Sequence, residues 1–335
     1  MRILYLSCHS INEYEDIKLF SELGHEVVSQ GAYRNPFRPG DSQRPPLENV
    51  YYDEELASLA PGEWGSVIPQ KLIDAVDCIY ILGIESWLPP NWERMKHKKV
   101  VFRSIGQAVE RTESVLARYR RYGLKIVRYS PFEQSISGYS GADALIRFYK
   151  DPEEYKDWNG KSKQVITVAQ SMKKRDEALK FHIFEKATRG FPRKLYGSGN
   201  EDVGELWGGR LSYEELKKVL RDSRVFFYTC TYPAQYTMAF QEAWMTGTPV
   251  VAIGPALAGF NIEVPYLIEN AVNGYTSNSI VELRRYLFVL LQDLLIEEVD
   301  LPKTISKAGR RKAIELFGKE KIKRQWKEFF ESLEG

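Results

Sequence analysis

Three consecutive cations, Lys173, Lys174 and Arg175, stand between a short predicted strand and a predicted helix at residues 176–187. Backbone N–H groups at the start of a helix favour anions, and Lys and Arg side chains add positive charge. Ligands of open parallel sheets bind beyond the carboxyl ends of the strands, where this segment is expected to lie. The segment therefore predicts a phosphate or diphosphate clamp that includes Ser171, and a solvated run of charges is the alternative.

A second candidate segment, Gly197-Ser198-Gly199, follows the predicted strand at residues 194–196. Glycine allows a ligand to approach the backbone closely, so Gly197 and Ser198 are candidate donor-binding residues. A simple tight turn explains two glycines at this spacing equally well.

The most informative segment is a predicted helix at residues 239–246 with the residues before it. Gln235-Tyr236-Thr237-Met238 would place free N–H groups at the helix N-terminus, facing a ligand. The helix is largely apolar but contains Glu242, and burying a carboxylate is costly unless it is hydrogen-bonded. Sugar or ribose hydroxyls would satisfy it, and a helix-dipole carboxylate is the alternative.

Alternation of short apolar runs with amphipathic segments places these candidates in an α/β fold. Polar, turn-forming residues 151–164 are a predicted linker, and residues 34–69 a long irregular excursion. The last segment, at residues 319–333, has apolar residues spaced as on one helix face. Strands are predicted at residues 2–7, 25–28, 78–82, 100–103, 125–129, 165–168, 194–196, 225–229 and 249–253. Other helices are predicted at residues 13–23 and 212–221.

The 335 residues, with 43% hydrophobic and 27% charged side chains, are typical of a soluble globular protein of one large or two medium domains. No apolar run approaches the ~20 residues of a membrane helix, and we expect no signal peptide. Three dispersed cysteines and four histidines make a disulfide framework or a metal site unexpected. A reducing compartment is the default for such a chain.

The net charge of +2 conceals two basic segments. Residues 94–128 contain 11 Lys and Arg against two Asp and Glu, and residues 303–327 contain 10 against two. Basic segments on an otherwise acidic chain suggest an anionic partner surface, membrane or nucleic acid, and solvated helix faces are the alternative.

Residues 240–252, FQEAWMTGTPVVA, resemble the nucleotide-sugar-binding segment of retaining GT-B glycosyltransferases of the family 4 type. Residues 209–226, 266–275 and 317–326 resemble neighbouring family segments in the same order. The resemblance covers roughly residues 165–330.

This resemblance implies a GT-B fold: two Rossmann-like, doubly wound domains that face a central cleft, with the last helix crossing back to the N-terminal domain. We expect an acceptor-side domain at residues 1–155, a nucleotide-sugar-binding domain at 156–316 and the returning helix at 317–335. The implied activity is retaining transfer of a sugar from a nucleotide sugar, UDP- or GDP-linked, to an unidentified hydroxyl. It implies no metal or other cofactor, and a cytoplasmic protein, peripheral to a membrane if the basic segments bind one.

The resemblance also assigns roles in the donor site. Lys174 or Arg175 matches the diphosphate-binding lysine, Glu242 the carboxylate that holds the ribose, and Arg210-Leu211 the segment near the base. The chain departs from the family at Ala234, where a glutamate that contacts the donor sugar is usual. It departs again where Gln170 or Ser171 replaces an arginine.

Candidates in the first domain follow its predicted strands. His9 and Ser10 follow the first strand, in place of the family's glycine-rich loop. Arg103, Ser104 and Gln107 follow a later strand, where the family often has a histidine, and Arg103 is a candidate catalytic residue.

Three other activities fit the same residues. The acceptor could be nucleic acid, as the basic segments permit. The departures at Gln170 and Ala234 would suit a non-catalytic module that binds sugar nucleotides. A nucleotide-sugar epimerase of the same fold is the third alternative.

Overall fold

The computed structural model describes residues 1–34, 44–48, 50–58, 66–106, 109–292, 295–296 and 299–334. These residues form two compact units, of which the first comprises Met1–Phe148 with Ile322–Gly335 and the second Tyr149–Lys321. The boundary between the two units, after Phe148, therefore lies before the predicted boundary after residue 155. Residues 149–155 belong to the second unit because Lys150 and Tyr155 bond there to Glu242.

The first unit contains a seven-stranded sheet in the order β3-β2-β1-β4-β5-β6-β7, with every neighbouring pair parallel. The order reverses between β1 and β4, which is a topological switch point. The strands are β1 (Arg2–Leu6), β2 (Glu26–Ser29), β3 (Val50–Tyr52), β4 (Cys78–Leu82), β5 (Lys99–Arg103), β6 (Lys125–Arg128) and β7 (Ala144–Leu145).

Helices cover this sheet on both faces because its central strands are apolar on both sides. Leu4 and Ile79 belong to a core with Trp92 and Leu116. The helices are α1 (Ser10–Glu22), α2 (Glu54–Ser58), α3 (Gln70–Asp74), α4 (Leu88–Met95) and α5 (Glu110–Arg120), with 3-10 turns at Glu85–Trp87 and Pro131–Ser135.

The terminal helix α14 (Lys319–Glu334) belongs to the first unit from Ile322 onward. Its Trp326 ring centre lies 5.1 Å from that of Phe20 and 5.7 Å from that of Tyr80. The apolar face seen in the sequence is thus buried against α1 and the sheet.

The second unit contains a six-stranded parallel sheet in the order β10-β9-β8-β11-β12-β13, with a switch point between β8 and β11. The strands are β8 (Ser162–Val168), β9 (Arg193–Tyr196), β10 (Trp207–Gly209), β11 (Ser223–Tyr228), β12 (Val250–Ile253) and β13 (Tyr275–Ser277); β14 (Leu295–Ile296) and β15 (Val299–Asp300) form a separate antiparallel pair. The helices are α6 (Asp176–Leu179), α7 (Phe181–Thr188), α8 (Tyr213–Asp222), α9 (Met238–Thr246), α10 (Pro255–Ala258), α11 (Val264–Leu267), α12 (Ile280–Leu291) and α13 (Leu301–Phe317), with a 3-10 turn at Glu201–Leu206.

Several elements differ from the sequence predictions. The helix predicted at residues 176–187 is broken at Lys180, whose φ of 54° is left-handed and ends α6 after four residues. Strand β8 begins at Ser162, inside the predicted linker, and β3 and α2 lie in the predicted excursion. In the described part of the chain, no helix is long and apolar enough to span a membrane.

Candidate functional site

Two loops at the carboxyl edge of the second sheet, after β8 and after β9, are hydrogen-bonded to each other beside its switch point. Ser171 N–H, after β8, donates to Ser198 O, after β9, at 2.9 Å. The buried side chain of Asn200 donates to Ala169 O at 2.7 Å and accepts from Met172 N–H at 2.7 Å. The predicted donor-binding residues Ser171 and Ser198 therefore come together, held by Asn200, which the sequence analysis did not identify.

Gly197 and Gly199 permit this contact between the loops. A Cβ atom on Gly197 would lie 2.3 Å from Ala169 O, and one on Gly199 would lie 2.2 Å from Ser171 Oγ. Both residues also have positive φ angles, 120° and 72°. The glycines thus allow the protein's own loops to approach each other, whether or not a ligand also binds there.

The loop after β11 joins the same edge. Tyr232 N–H donates to Ala178 O in α6 at 2.9 Å, and the Cys230 thiol donates to the same oxygen at 3.5 Å. The loop after β11 therefore contacts α6, which follows the loop after β8, across the switch point where ligands of doubly wound sheets bind.

Lys174 presents an exposed ammonium group at this edge. Among the described residues it makes no hydrogen bond or ion pair, whereas Lys173 Nζ donates to Asp202 O at 3.2 Å. Arg175 is also exposed, and its N–H donates to Ser171 O at 3.0 Å. Because α6 has only four residues, the positive charge of this segment comes from its side chains and not from a long helix.

The N-terminus of α9 supplies the other predicted donor groups. Thr237 is the N-cap, and its hydroxyl accepts from Phe240 N–H at 3.3 Å. Gln235 and Tyr236 are buried, and the Tyr236 ring centre lies 5.2 Å from that of Phe317. The Tyr236 side chain packs in the core of the unit, so only its backbone fits the predicted role, while Met238 is partly exposed.

Glu242 is buried within α9. Its Oε1 accepts hydrogen bonds from Lys150 Nζ and from the Tyr155 hydroxyl, each at 3.1 Å. The chain therefore supplies partners for this carboxylate, and burial of Glu242 does not by itself require a sugar hydroxyl. Its role in holding a ribose stays a prediction. Lys150 and Tyr155 are distant in sequence from Glu242, and no local motif marks them.

Arg210 and Leu211 directly follow β10, at the outer edge of the sheet. Gly197 N–H donates to Gly209 O at 3.0 Å, which places the Arg210 backbone beside the loop after β9. The Arg210 side chain is exposed and Leu211 is half-buried. Arg210 and Leu211 thus lie beside the hydrogen-bonded loops after β8 and β9 and do not belong to them.

The candidates in the first unit are mostly buried. His9 is the half-buried N-cap of α1, and its Nδ1 accepts from Asn12 N–H at 3.4 Å. Ser10 is buried in the first turn of α1. The buried Ser104 hydroxyl accepts from Tyr129 N–H at 3.3 Å and thus connects β5 to β6. Gln107 lies outside the described residues.

Arg103 lies in the core, contrary to its expected position facing a ligand. The residue is 0% exposed, and its guanidinium carbon lies 4.4 Å from the Phe148 ring centre and 5.0 Å from that of Trp326. Burial raises the pKa of Asp16, and the positive charge of Arg103 acts in the opposite direction. The cation–π contacts and the attraction to Asp16 fit a structural role for Arg103, and its catalytic role stays a prediction.

Asp16 and Glu13 are buried carboxylates of α1 that the sequence analysis did not single out. Asp16 Oδ2 accepts from the hydroxyls of Tyr5 at 2.8 Å and Tyr80 at 2.9 Å. Glu13 Oε1 accepts from Gly31 N–H at 3.0 Å and from the Ser29 hydroxyl. Burial raises the pKa of Glu13 to about 7, although these hydrogen bonds act to lower it.

The exposed cations of residues 94–128 gather at the amino edge of the first sheet. Trp92 in α4 packs on Tyr119 in α5 with ring centres 4.9 Å apart, so the ends of these helices are neighbours. A group that we call the basic edge lies before β5 and β6 and comprises Lys96, His97, Lys98, Arg118, Arg121, Tyr122 and Lys125. Arg128, by contrast, is buried and bonded to Glu113 at 2.6 Å.

The second basic segment is partly structural as well. Arg310 in α13 donates from Nη2 to Pro152 O at 2.8 Å and from Nη1 to the carbonyl oxygens of Tyr155 and Met245. Burial lowers the pKa of Arg310. This guanidinium therefore holds residues 152–155 against the end of α9.

No protein-family model matches the sequence, and no curated protein matches it significantly. Solved structures do match. One is Anabaena Alr3699/HepE in complex with UDP-glucose, at 17% identity and TM-score 0.71, with 99% of this chain and 100% of that chain covered. A glycosyltransferase from Rickettsia africae ESF-5 matches at 14% identity and TM-score 0.70, with 99% and 98% covered. The lipopolysaccharide outer core galactosyltransferase WaaB matches at 14% identity and TM-score 0.57, with 99% of each chain covered. The two doubly wound units of this chain thus form the GT-B fold of glycosyltransferases.

Proposed function

We propose that this protein is a glycosyltransferase that moves a sugar from a nucleoside diphosphate sugar to an acceptor hydroxyl, with retention of configuration and without a metal ion. The observation that carries the proposal is that the segment between β8 and α7 contacts both the loop after β9 and the loop after β11, which leads into α9. The exposed cations Lys174 and Arg175 belong to this segment.

These residues suit a diphosphate leaving group. Negative charge develops on the diphosphate as the bond to the sugar breaks, and fixed positive groups stabilise that charge. Lys174, Arg175 and the N–H groups near Met238 would supply this stabilisation without a metal. The sugar would acquire oxocarbenium-like character as its bond to the diphosphate breaks. The acceptor oxygen would form the new bond on the face that the diphosphate leaves, and the hydroxyl proton would pass to the departing diphosphate.

UDP sugars are the first donors to test, because the HepE neighbour was crystallised with UDP-glucose. GDP sugars are the second class. We propose that Gly197 and Ser198 line the donor site, that Arg210 and Leu211 lie near its base, and that Glu242 holds its ribose. His9, Ser10, Ser104 and Gln107 remain the proposed acceptor-side residues.

A non-catalytic sugar-nucleotide-binding module is a second candidate. The family's sugar-contacting glutamate is replaced by Ala234, which is buried and carries no polar group. Such a module would bind donors without turning them over.

The basic edge supports a further part of the proposal. Its exposed cations are Lys96, Arg118, Arg121 and Lys125, near the exposed ring of Tyr122. They suit an anionic lipid surface, to which the protein would bind from the cytoplasm. A nucleic acid is the other anionic partner to compare. Binding to vesicles with and without anionic lipid, and to duplex DNA, separates the two.

The test of activity is a donor panel. UDP-, GDP- and ADP-sugars are incubated with the protein, and release of the nucleoside diphosphate is measured with and without EDTA. We expect hydrolysis or transfer with one nucleotide class, unaffected by EDTA, with an α-linked product from an α-linked donor. Tight binding without release would support the module, and sugar interconversion without release would support an epimerase.

A further inference from the structure

We propose that Lys150 and Tyr155 are positioning residues of the donor site, which hold the Glu242 carboxylate in the orientation that accepts the ribose hydroxyls. The inference rests on the proposed function, because it assigns the ribose to Glu242. Lys150 and Tyr155 would not touch the donor, and their effect would pass through Glu242 alone.

The contacts converge on a single atom. Lys150 Nζ and the Tyr155 hydroxyl both donate to Oε1 of Glu242 at 3.1 Å. A carboxylate offers about four acceptor positions, and two donors on one of its oxygens restrict the orientation of its plane. All three side chains are buried, so the contacts persist without competition from bulk water.

The two donors are themselves held by the backbone. Lys150 N–H donates to Phe317 O at 2.9 Å, at the end of α13. Arg310 donates to Pro152 O at 2.8 Å and to Tyr155 O. Residues 150–155 are therefore attached to the second unit on both sides of the ion pair, and Glu242 cannot turn away without breaking its bond to the buried Lys150 ammonium group.

This arrangement makes a specific prediction about sugar recognition. A carboxylate fixed in one orientation accepts well-aligned hydrogen bonds from the ribose, and a ligand that lacks a hydroxyl leaves part of a buried charge unsatisfied. A carboxylate released by loss of Lys150 or Tyr155 would rotate, and its preference for ribose over deoxyribose would fall. A purely structural role would change stability without changing that preference.

The experiment measures the dissociation constants of UDP and 2′-deoxy-UDP, and of GDP and 2′-deoxy-GDP, by calorimetry. The proteins are the wild type, Lys150→Met, Tyr155→Phe and Glu242→Gln. Lys156→Met and Tyr275→Phe are matched controls, because Lys156 pairs with Glu153 and the Tyr275 ring stacks on Tyr286, and neither contact involves Glu242.

We expect the wild type and both controls to prefer the ribonucleotide by about 10- to 100-fold, the range for a hydrogen bond to a charged group. Lys150→Met and Glu242→Gln should reduce that preference to about threefold or less, with Tyr155→Phe between them. Tyr155→Phe keeps the ion pair and decides the outcome if Lys150→Met does not fold.

Two results would overturn the inference separately from the proposed function. If the wild type binds and prefers the ribonucleotide, but Tyr155→Phe and Lys150→Met keep that preference, the donor site stands and the positioning role is wrong. If the wild type binds the two nucleotides equally, Glu242 does not hold the ribose. If it binds no nucleoside diphosphate, the proposed function fails and the inference fails with it.

Discussion

The ammonium group of Lys150 lies 3.1 Å from Oε1 of Glu242, and the two side chains are 0% and 3% exposed. The pair joins residue 150, just beyond the first unit, to the helix that follows the fourth strand of the second sheet. It therefore completes the second unit with a residue that the sequence analysis assigned to the N-terminal domain, just before the predicted linker.

Loss of one partner of this pair should be more harmful than loss of both. Lys150→Met leaves the Glu242 carboxylate buried without its cation, which we expect to lower the free energy of unfolding by about 3–5 kcal/mol. The double variant Lys150→Met with Glu242→Gln carries no buried charge and should recover much of that loss. Urea denaturation of both single variants and the double variant checks this, and additive losses would contradict the ion pair.

Glu13 should make stability depend on pH near neutrality. Its pKa is about 7 in the folded protein and 4.5 in the reference state, so the folded state holds a proton that the unfolded chain has lost. The resulting stabilisation is present below the lower value and is lost as pH rises through about 7, by about 3 kcal/mol in total.

Glu13→Gln removes this proton and its linkage. We expect the free energy of unfolding of the wild type, relative to that of Glu13→Gln, to decrease as the pH rises from about 5 to about 8. Urea denaturation across that range measures it. A difference that is constant with pH would show that Glu13 ionises normally.

Gly199 should be required for the contact between the loops after β8 and β9. Gly199→Ala places a Cβ atom 2.2 Å from Ser171 Oγ, so we expect weaker nucleoside diphosphate binding together with a lower melting temperature. Gly24→Ala is the control, since Gly24 also has a positive φ, 85°, but nothing within 4 Å of the added atom. Equal effects of the two variants would attribute the loss to backbone strain alone.

Arg103 should act on stability and not on donor chemistry. Arg103→Lys keeps the charge near Asp16 but loses the planar contacts with Phe148 and Trp326, which should cost about 1–2 kcal/mol. We expect donor turnover to stay within about twofold of the wild type at a temperature where the variant is folded. Arg121→Lys, on the exposed basic edge, is the control. A large loss of turnover without a change in melting temperature would support the catalytic role of Arg103 instead.

The sequence was sufficient for the fold because strand and helix signals are local. The apolar runs at residues 78–82 and 165–168 coincide with β4 and part of β8. The break at Lys180 was not predictable, since a lysine in a left-handed conformation has no sequence signature. Strand β10 was also missed, since Trp207–Gly209 has only three residues and two glycines.

The candidate site was predictable where it depends on residues next to strand ends, and not where it depends on distant partners. Lys174 and Ser171 lie at the edge where a residue after a strand must lie. Glu242 was singled out because a buried acid needs donors, but those donors, Lys150 and Tyr155, are about 90 residues away. Arg103 resembled a ligand-binding cation because its aromatic neighbours, Phe148 and Trp326, are also distant from it in sequence.

The most direct test of the central claim is donor binding and turnover by the Lys174→Ala, Arg175→Ala double variant. Lys173→Ala is its control. Lys173 belongs to the same run of cations, but its ammonium group donates a hydrogen bond to the backbone oxygen of Asp202. We predict that the double variant loses turnover by about 100-fold or more and binds the nucleoside diphosphate more weakly, while Lys173→Ala stays close to the wild type. Wild-type turnover and affinity in the double variant would contradict the claim that these cations hold the diphosphate.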